Sequence, residues 1–450
     1  MTAEHDVVVL GAGNAGLAAA GAARAAGQQV LVVEARDVGG VCPLRGCVPK
    51  KVLVAAAQAL DTIAHAGTHR ISVDPPVLDW PRLIERKRGF VEGVPEEFEK
   101  GLAQRGIALT RGRARFSGPH EVVVAGERHT ARKIVVATGS VPRSLPIPGA
   151  EHLLRSDELL ELASLPESIT FVGAGVIAFE FAHVLARAGS RVTLLEVAPR
   201  VLPTLDSDAT SRLAALTREL GVRIETSVTI EQIEKGAETC SIRYRSGDER
   251  AVVRSQVVAN GAGRVADLAG LDLAAAGITL ERGRVELDDF LRSVENPDVF
   301  FAGDAIPGRP QLSPLASYEG RVVGHNLTND TLRPVEYGHQ PAAVYTVPAL
   351  ATVGSSEEAA GEAGLDFDVR THDMTGWRSA RTHGESEAWA KVLIEKGSGR
   401  ILGAHLVGHG AEETIHTFAL AIEKGMPASE IAERVYAYPT FHADLKYLVS

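Results

Sequence analysis

The 450-residue sequence predicts an α/β protein in which one strand–turn–helix–strand unit occurs twice. The first copy starts at Val7-Val8-Val9-Leu10, a β-branched apolar run that reads as a buried strand. It feeds Gly11-Ala12-Gly13-Asn14-Ala15-Gly16, an alanine-rich helical stretch to Ala26, the stop Gly27, and a second strand Val30-Leu31-Val32-Val33 closed by Glu34. The second copy runs from Ile169-Thr170-Phe171-Val172 through Gly173-Ala174-Gly175-Val176-Ile177-Ala178 and a helical stretch to Ala188. It ends with Gly189 and the strand Val192-Thr193-Leu194-Leu195, closed by Glu196. In both copies the acid stands 23 positions after the first glycine. A glycine pattern alone is weak evidence, but with a strand before, a helix after and an acid about twenty residues on it is a dinucleotide fingerprint. The glycines allow a tight turn and close approach of a pyrophosphate to the helix N-terminus, and the carboxylate accepts from ribose hydroxyls. Two Rossmann-like dinucleotide-binding domains are therefore predicted.

Composition narrows the function classes. A hydrophobic fraction of 45% and a charged fraction of 23% are those of an ordinary globular chain. A formal net charge of −10, with no basic block, argues against a nucleic-acid surface. No apolar run reaches the ~18 residues of a membrane helix. The start, Met1-Thr2-Ala3-Glu4-His5-Asp6, is acidic and lacks the pattern of a signal peptide. Three cysteines in so long a chain fit a reducing compartment, and the expected location is cytoplasmic.

Two of those cysteines lie in Gly39-Gly40-Val41-Cys42-Pro43-Leu44-Arg45-Gly46-Cys47-Val48-Pro49-Lys50-Lys51, four residues apart and just before an apolar helical run. Such a pair can bridge, and a helix start with Lys50 and Lys51 nearby favours a thiolate. A zinc site needs about four ligands, and the third cysteine, Cys240, is far off in an unrelated strand. The pair reads as a redox-active disulfide and Cys240 as structural. This run, with the two fingerprints, resembles the flavoprotein disulfide reductases, the family of glutathione reductase, dihydrolipoamide dehydrogenase and mercuric reductase. Arg45-Gly46-Cys47-Val48-Pro49-Lys50-Lys51 is most similar to the glutathione reductase version, while Val41 stands where the family usually has threonine.

The resemblance covers essentially the whole chain. It implies an FAD-binding domain in two segments, 1–148 and 257–332, an NAD(P)-binding domain at 149–256 inserted between them, and a C-terminal α+β dimerisation domain at 333–450. Pro142, Pro146, Pro148 and Gly149 mark the first connection, and Val257-Val258-Ala259-Asn260-Gly261-Ala262-Gly263 the return. FAD is expected against Gly11, Gly13, Asn14, Ala15, Gly16 and Glu34. Thr138-Gly139-Ser140, Gly263, Gly303, Asp304, Leu312 and Ala316 complete that site, Asp304 holding the ribityl chain. Lys50 is expected near the flavin, paired with Glu180. The nicotinamide cofactor falls to Gly173, Gly175, Val176, Ile177 and Glu196. A carboxylate at Glu196 favours NAD(H) over NADP(H), and nearby Arg191 and Arg200 keep NADP(H) as the alternative. Electrons are expected to pass from the nicotinamide through the flavin to Cys42–Cys47 and on to a small disulfide or related sulfur substrate. Cys47 is the sulfur beside the flavin and Cys42 the outward nucleophile. The expected partner is a second copy of the chain, whose C-terminal tail completes the active site.

One element departs from the family. Its usual His-Pro-Thr, with a Glu five residues after the His, acts as the acid–base for thiol protons. Here Tyr438-Pro439-Thr440-Phe441-His442-Ala443-Asp444 places Tyr438 at the His position and Ala443 at the Glu position. Three readings stay open: Tyr438 donates, His442 serves as a displaced base beside Asp444, or water or substrate supplies the proton. An alternative activity is reductive C–S cleavage, as in the related 2-ketopropyl-coenzyme M oxidoreductase, which also lacks the His. A slow redox sensor or NADH:acceptor flavoprotein is a third class. The extra C-terminal cysteine pair of mercuric reductases is absent. His405 and His409, on or beside an apolar strand, are expected to be packed structural residues, and the segment 61–106, helical near Trp80–Arg88 and 94–103, carries no assignable chemistry.

Overall fold

A computed structural model describes residues 4–450. The chain forms two compact units. The first comprises the chain up to Lys50 together with Arg86–Arg143 and Arg264–Glu336, and the second Lys51–Glu85, Ser144–Gly263 and Tyr337–Ser450.

The first unit is built on a parallel sheet in the order Ala108–Arg111, Val30–Glu34, His5–Leu10, Glu127–Val136 and Val299–Phe301. Val7 to Leu10 and Val30 to Val33 are buried throughout, as continuous apolar runs must be in a parallel sheet covered on both faces. The first strand feeds the helix Asn14–Ala25, which packs on the helix Ser313–Asn326. Small residues make that approach possible. A Cβ at Gly320 would lie 2.2 Å from the Ala15 carbonyl oxygen, and one at Gly324 would lie 2.4 Å from the Ala22 Cβ. The alanine-rich first helix is thus matched by glycines on its partner, and this contact sets Ser313 beside Asn14.

The second unit repeats the design. Its parallel sheet runs Arg223–Glu225, Arg191–Leu195, Ser168–Val172 and Val257–Asn260, with the helix Val176–Arg187 after the second glycine turn. Val257–Asn260, expected to open the return to the first domain, is instead an edge strand of this sheet, in register with Ile169 to Val172. An apolar strand is compatible with either sheet, and only hydrogen-bonding register decides. The chain returns at Arg264–Ala266, which pairs with Ser140–Pro142. The C-terminal portion is a five-stranded antiparallel sheet carrying the helix Ala411–Lys424, whose Ile415 and Phe418 bury against Val392 and Leu406. The two Rossmann-like domains are thus followed by a C-terminal antiparallel α+β domain. Among the described residues no helix is long and apolar enough to cross a membrane.

His405 is buried as expected, bonded to the Thr352 hydroxyl at 2.6 Å and the Ser355 carbonyl at 3.2 Å. His409 is not: it lies just past the strand Ile401–Gly408, 61% exposed, 3.4 Å from Glu385, stacked on His383 and tilted against Phe441. Apolar neighbours in sequence bury a strand residue only where the sheet face continues past it.

His183, on the helix Val176–Arg187, is a further buried histidine. Its ring nitrogens meet the Val347 backbone and the Thr217 hydroxyl at 2.9–3.2 Å. Burial, reinforced by Arg187 and opposed by the Val347 carbonyl, lowers its pKa from 6.5 to about 3. The imidazole is therefore neutral when folded but protonates on unfolding below pH 6.5. Its contribution is present above that pH and is lost as pH falls toward about 3. The expected loss is about 2 kcal/mol near ~pH 5. Urea unfolding near ~pH 5 and ~pH 7.5 should show a gap that His183→Gln narrows.

Candidate active site

The two glycine turns have the same geometry. Gly11 and Gly173 have φ of +107° and +98°, conformations that favour glycine. A Cβ on Gly11 would lie 2.3 Å from the Ala137 carbonyl oxygen, and one on Gly173 would lie 2.5 Å from the Ala262 nitrogen. Gly13 and Gly175 are the N-caps of the following helices, neither offers a side-chain cap, and neither first turn holds an acidic residue. Each helix therefore starts with backbone N–H groups and a positive dipole end that suit a pyrophosphate. Each acid is held by its own loop. Glu34 accepts from the N–H groups of Ala12 and Arg36 at 2.7 Å each, and Glu196 from those of Ala174 and Ala198 at 2.7 and 2.9 Å. A carboxylate has about four acceptor positions, so each keeps capacity for ribose hydroxyls. These open, glycine-lined helix starts fit the two dinucleotides.

The remaining candidates for the first cofactor gather in the first unit. The Ser140 hydroxyl donates to Asp304 at 2.9 Å and accepts from Arg264 Nε at 3.0 Å. Burial pushes the Asp304 carboxyl up, against Ser140 and Arg264. Thr138 donates to the Asp267 carbonyl at 2.8 Å, and Gly139 accepts from the Asp267 N–H at 2.9 Å. Gly303 approaches Ala15 and Ala316, its N–H donates to the buried Glu319 carboxylate at 2.6 Å, and the Leu312 carbonyl accepts from Ala316. Gly263 is the exception. It closes the second unit, one residue past the Gly261-Ala262 contact with Gly173, and so sits where Thr138-Gly139 sit in the first copy. A glycine-rich strand end follows the last strand of each repeat, and proximity in sequence to the return segment hid this.

The cysteines lie on successive helical turns: Cys42 in the short helix Val41–Arg45, and Cys47 as first residue of Cys47–Ala64. Gly40 presses on Gly13, where a Cβ would stand 2.7 Å from the Gly13 Cα, so the cysteine run is set against the first glycine turn. Both thiols are free. A hydrogen bond from the Cys47 thiol lowers the Cys42 pKa to about 6, against burial, with further help from Ser313, a backbone N–H and Lys50. Cys47 is pushed up, first by that same bond and then by burial. Negative charge on the dithiol therefore resides at Cys42.

Ser313 carries no motif and was not among the expected residues. Asn14 Nδ2 donates to its Oγ, leaving the hydroxyl proton for the Cys42 sulfur. The available signal was the Leu312-Ser313-Pro314 helix start, with proline at a position that tolerates it. Loss of one hydrogen bond to a charged group costs about 1.5 kcal/mol, or about one pH unit. Ser313→Ala should therefore raise by about 1 unit the pH midpoint for alkylation of Cys42 in the dithiol protein. An unchanged midpoint would exclude the Ser313 contribution.

The other catalytic candidates lie in the second unit. Glu180 is buried on its helix and accepts from the Tyr345 N–H at 2.9 Å. The Tyr345 ring lies 3.7 Å beneath the Lys51 ammonium. Tyr438 is 64% exposed. His442 Nε2 meets the Thr417 hydroxyl at 2.6 Å, and Asp444 accepts from Ser379. The His442–Asp444 partnership is not formed, because the turn Phe441–Asp444, capped by the Thr440 hydroxyl, directs the two side chains to different neighbours.

The chain matches the family described as pyridine nucleotide-disulphide oxidoreductase over residues 5–320, and its dimerisation domain over 340–449. It is similar to glutathione reductase of Burkholderia cepacia, 28% identical over 441 residues, covering 97% of this chain and 96% of that protein. It is also similar to mercuric reductase of Streptomyces lividans, 31% identical over 452 residues, covering 98% and 95%. The solved structure of the HOCl-induced flavoprotein disulfide reductase RclA from Escherichia coli superposes with a TM-score of 0.88 at 28% identity, covering 99% of each chain.

Proposed function

Because the chain belongs to the pyridine nucleotide-disulphide oxidoreductase family, and is an FAD- and pyridine-nucleotide-linked disulfide oxidoreductase acting through the Cys42/Cys47 pair, we propose that it reduces a small disulfide with electrons from NADH. The two glycine turns, at Gly11–Gly16 and Gly173–Ala178, would hold the flavin and nicotinamide dinucleotides, which when bound would supply the two electrons that open the Cys42–Cys47 disulfide. The observation that carries the reading is the Cys42/Cys47 pair on successive helical turns, set against the first glycine turn, with the Ser313 hydroxyl and Lys50 acting on Cys42. The Cys42 thiolate attacks one substrate sulfur and releases the first thiol, forming a mixed disulfide. Cys47 then loses its proton and attacks the Cys42 sulfur, which releases the second thiol and closes the protein disulfide. Lys50 holds charge at the pair, and Glu180 is the carboxylate proposed to act with it near the flavin. Proton return to the leaving thiols is assigned to water, since His442 is engaged with Thr417 and Tyr438 lies open.

Glu196 supports NADH. Of the two arginines that kept NADPH open, Arg200 spends its guanidinium on the carbonyls of Leu205 and Pro203 at 2.9 and 2.6 Å. It is therefore committed away from a 2′-phosphate. The C-terminal dimerisation domain supports a homodimer that shares its active site, and the cysteine usage supports a cytoplasmic setting.

Anaerobic titration with NADH and, separately, NADPH tests this, followed by flavin spectrum and free thiols. The expected result is two new thiols per chain with the first two electrons, reached more readily with NADH, and turnover against a panel of disulfides. Bleached flavin with no new thiols would overturn it. The replacement of the family His by Tyr438 favours one second reading, reductive C–S cleavage, which product analysis with thioethers would reveal.

A further inference from the structure

A cluster outside the redox site has no role in this chemistry. Glu4 and His5 stand at the start of the central strand His5–Leu10 of the first unit, and His129 lies on the adjacent strand Glu127–Val136. His5 is in register with Ala131, so His129, two residues earlier, shares its face of the sheet. The rings are 5.9 Å apart between centroids. The Glu4 carboxylate bridges them, with Oε1 3.6 Å from His5 Nε2 and Oε2 4.0 Å from His129 Nδ1. The Glu4 N–H donates to the Thr130 hydroxyl at 3.0 Å, which fixes the backbone there.

What needs explaining is the state of the imidazoles. His129 is only 9% exposed, yet both its ring nitrogens, and Nε2 of His5, are buried with no hydrogen-bond partner among the described residues. Buried polar atoms are normally paired, and leaving one unmet costs about 1–3 kcal/mol. The carboxylate beside them lies outside bonding range on both sides.

We propose that Glu4, His5 and His129 bind one divalent transition-metal ion of the zinc class. Two imidazole nitrogens and a carboxylate are a set that such ions accept, with a fourth position open to water. Their ligand atoms all lie within 4.8 Å of one another. Bond lengths of about 2.0–2.1 Å in a tetrahedron put ligand atoms about 3.4 Å apart, so side-chain rotations closing the pairs by at most about 1.4 Å complete the site. The ion would satisfy one stranded nitrogen on each histidine and pin the first strand to its neighbour. Glycine-turn chemistry begins at the other end of this strand, about 17 Å away at ~3.3 Å per residue, so the site is separate from the cysteines.

The test is calorimetric titration of the full-length flavoprotein with Zn²⁺, its cysteine pair oxidised so that thiolates do not compete. Co²⁺ serves as a second probe, read by its visible absorption. One ion per chain is expected, with affinity weakened about tenfold or more in each of Glu4→Gln, His5→Gln and His129→Asn. The Co²⁺ band should fade in the same variants. Should His129→Asn fail to fold, the other two, at the strand end, decide. Absence of Zn²⁺ binding at about 100 μM, or binding that is equal in all folded variants, would overturn the site. Either outcome is distinct from failure of the disulfide reaction.

Discussion

Cys42→Ser is expected to lower disulfide turnover by on the order of 10³-fold or more, as loss of an attacking group does. The reason is specific to this sulfur. Its thiol is held at about 6 by the Cys47 thiol, Ser313 and Lys50, so most of it is thiolate near neutral pH. A serine hydroxyl in the same place stays protonated and does not attack sulfur. Cys47→Ser is expected to lose comparable turnover by a different route. Cys42 would still open one substrate disulfide, but the mixed disulfide would have no resolving thiol. Intact-protein mass spectrometry after mixing the reduced variant with a disulfide should show one trapped adduct in Cys47→Ser and none in Cys42→Ser. The reverse pattern would exchange the two roles. Turnover preserved in either variant would remove the pair from the reaction.

The largest expected effect on stability is at Lys391, a fully buried lysine on the strand Ala388–Glu395. Its ammonium lies 3.1 Å from Asp206, 2.7 Å from Asp208 and 2.5 Å from Glu357. Burial works against the charge, but the three carboxylates outweigh it and raise the lysine pKa. Asp206 is itself buried and caps the helix Ser207–Glu219 by accepting from the N–H groups of Asp208 and Ala209. Lys391→Met would leave that carboxylate without its cation, whereas Asp208 and Glu357 are partly exposed and remain hydrated. Removing one partner of a buried pair costs about 3–5 kcal/mol. The denaturant midpoint should fall accordingly, and adding Asp206→Asn should recover part of the loss. A loss below about 1 kcal/mol would mean the cluster behaves as surface pairs do.

Local patterns were sufficient for much of this protein. The two strand–glycine–helix–acid units, their repeat, and the cysteine run are each written within about thirty residues. The reason is that a tight turn needs glycine where it stands and a buried parallel strand needs an unbroken apolar run. The departures lie where chain-distant groups meet. Ser313 reaches Cys42 because Gly320 and Gly324 let two helices close up, a contact between segments about 300 residues apart. The strand Val257–Asn260 went to the second sheet rather than the first, and Gly263 with it, because pairing register, not apolar character, assigns a strand to a sheet. His442 was legible as a displaced histidine but not its partner: Thr417, and not Asp444, faces it. Glu4, His5 and His129 are unremarkable in sequence and acquire meaning only when two strands align. The sequence by itself determined the repeated α/β units and the chemistry of the cysteine pair, since both are set by residue types at short spacing. The tertiary structure alone decided which sulfur carries the charge, which carboxylates and histidines are buried, and what they face, since burial and charge–charge distance are properties of the packed chain.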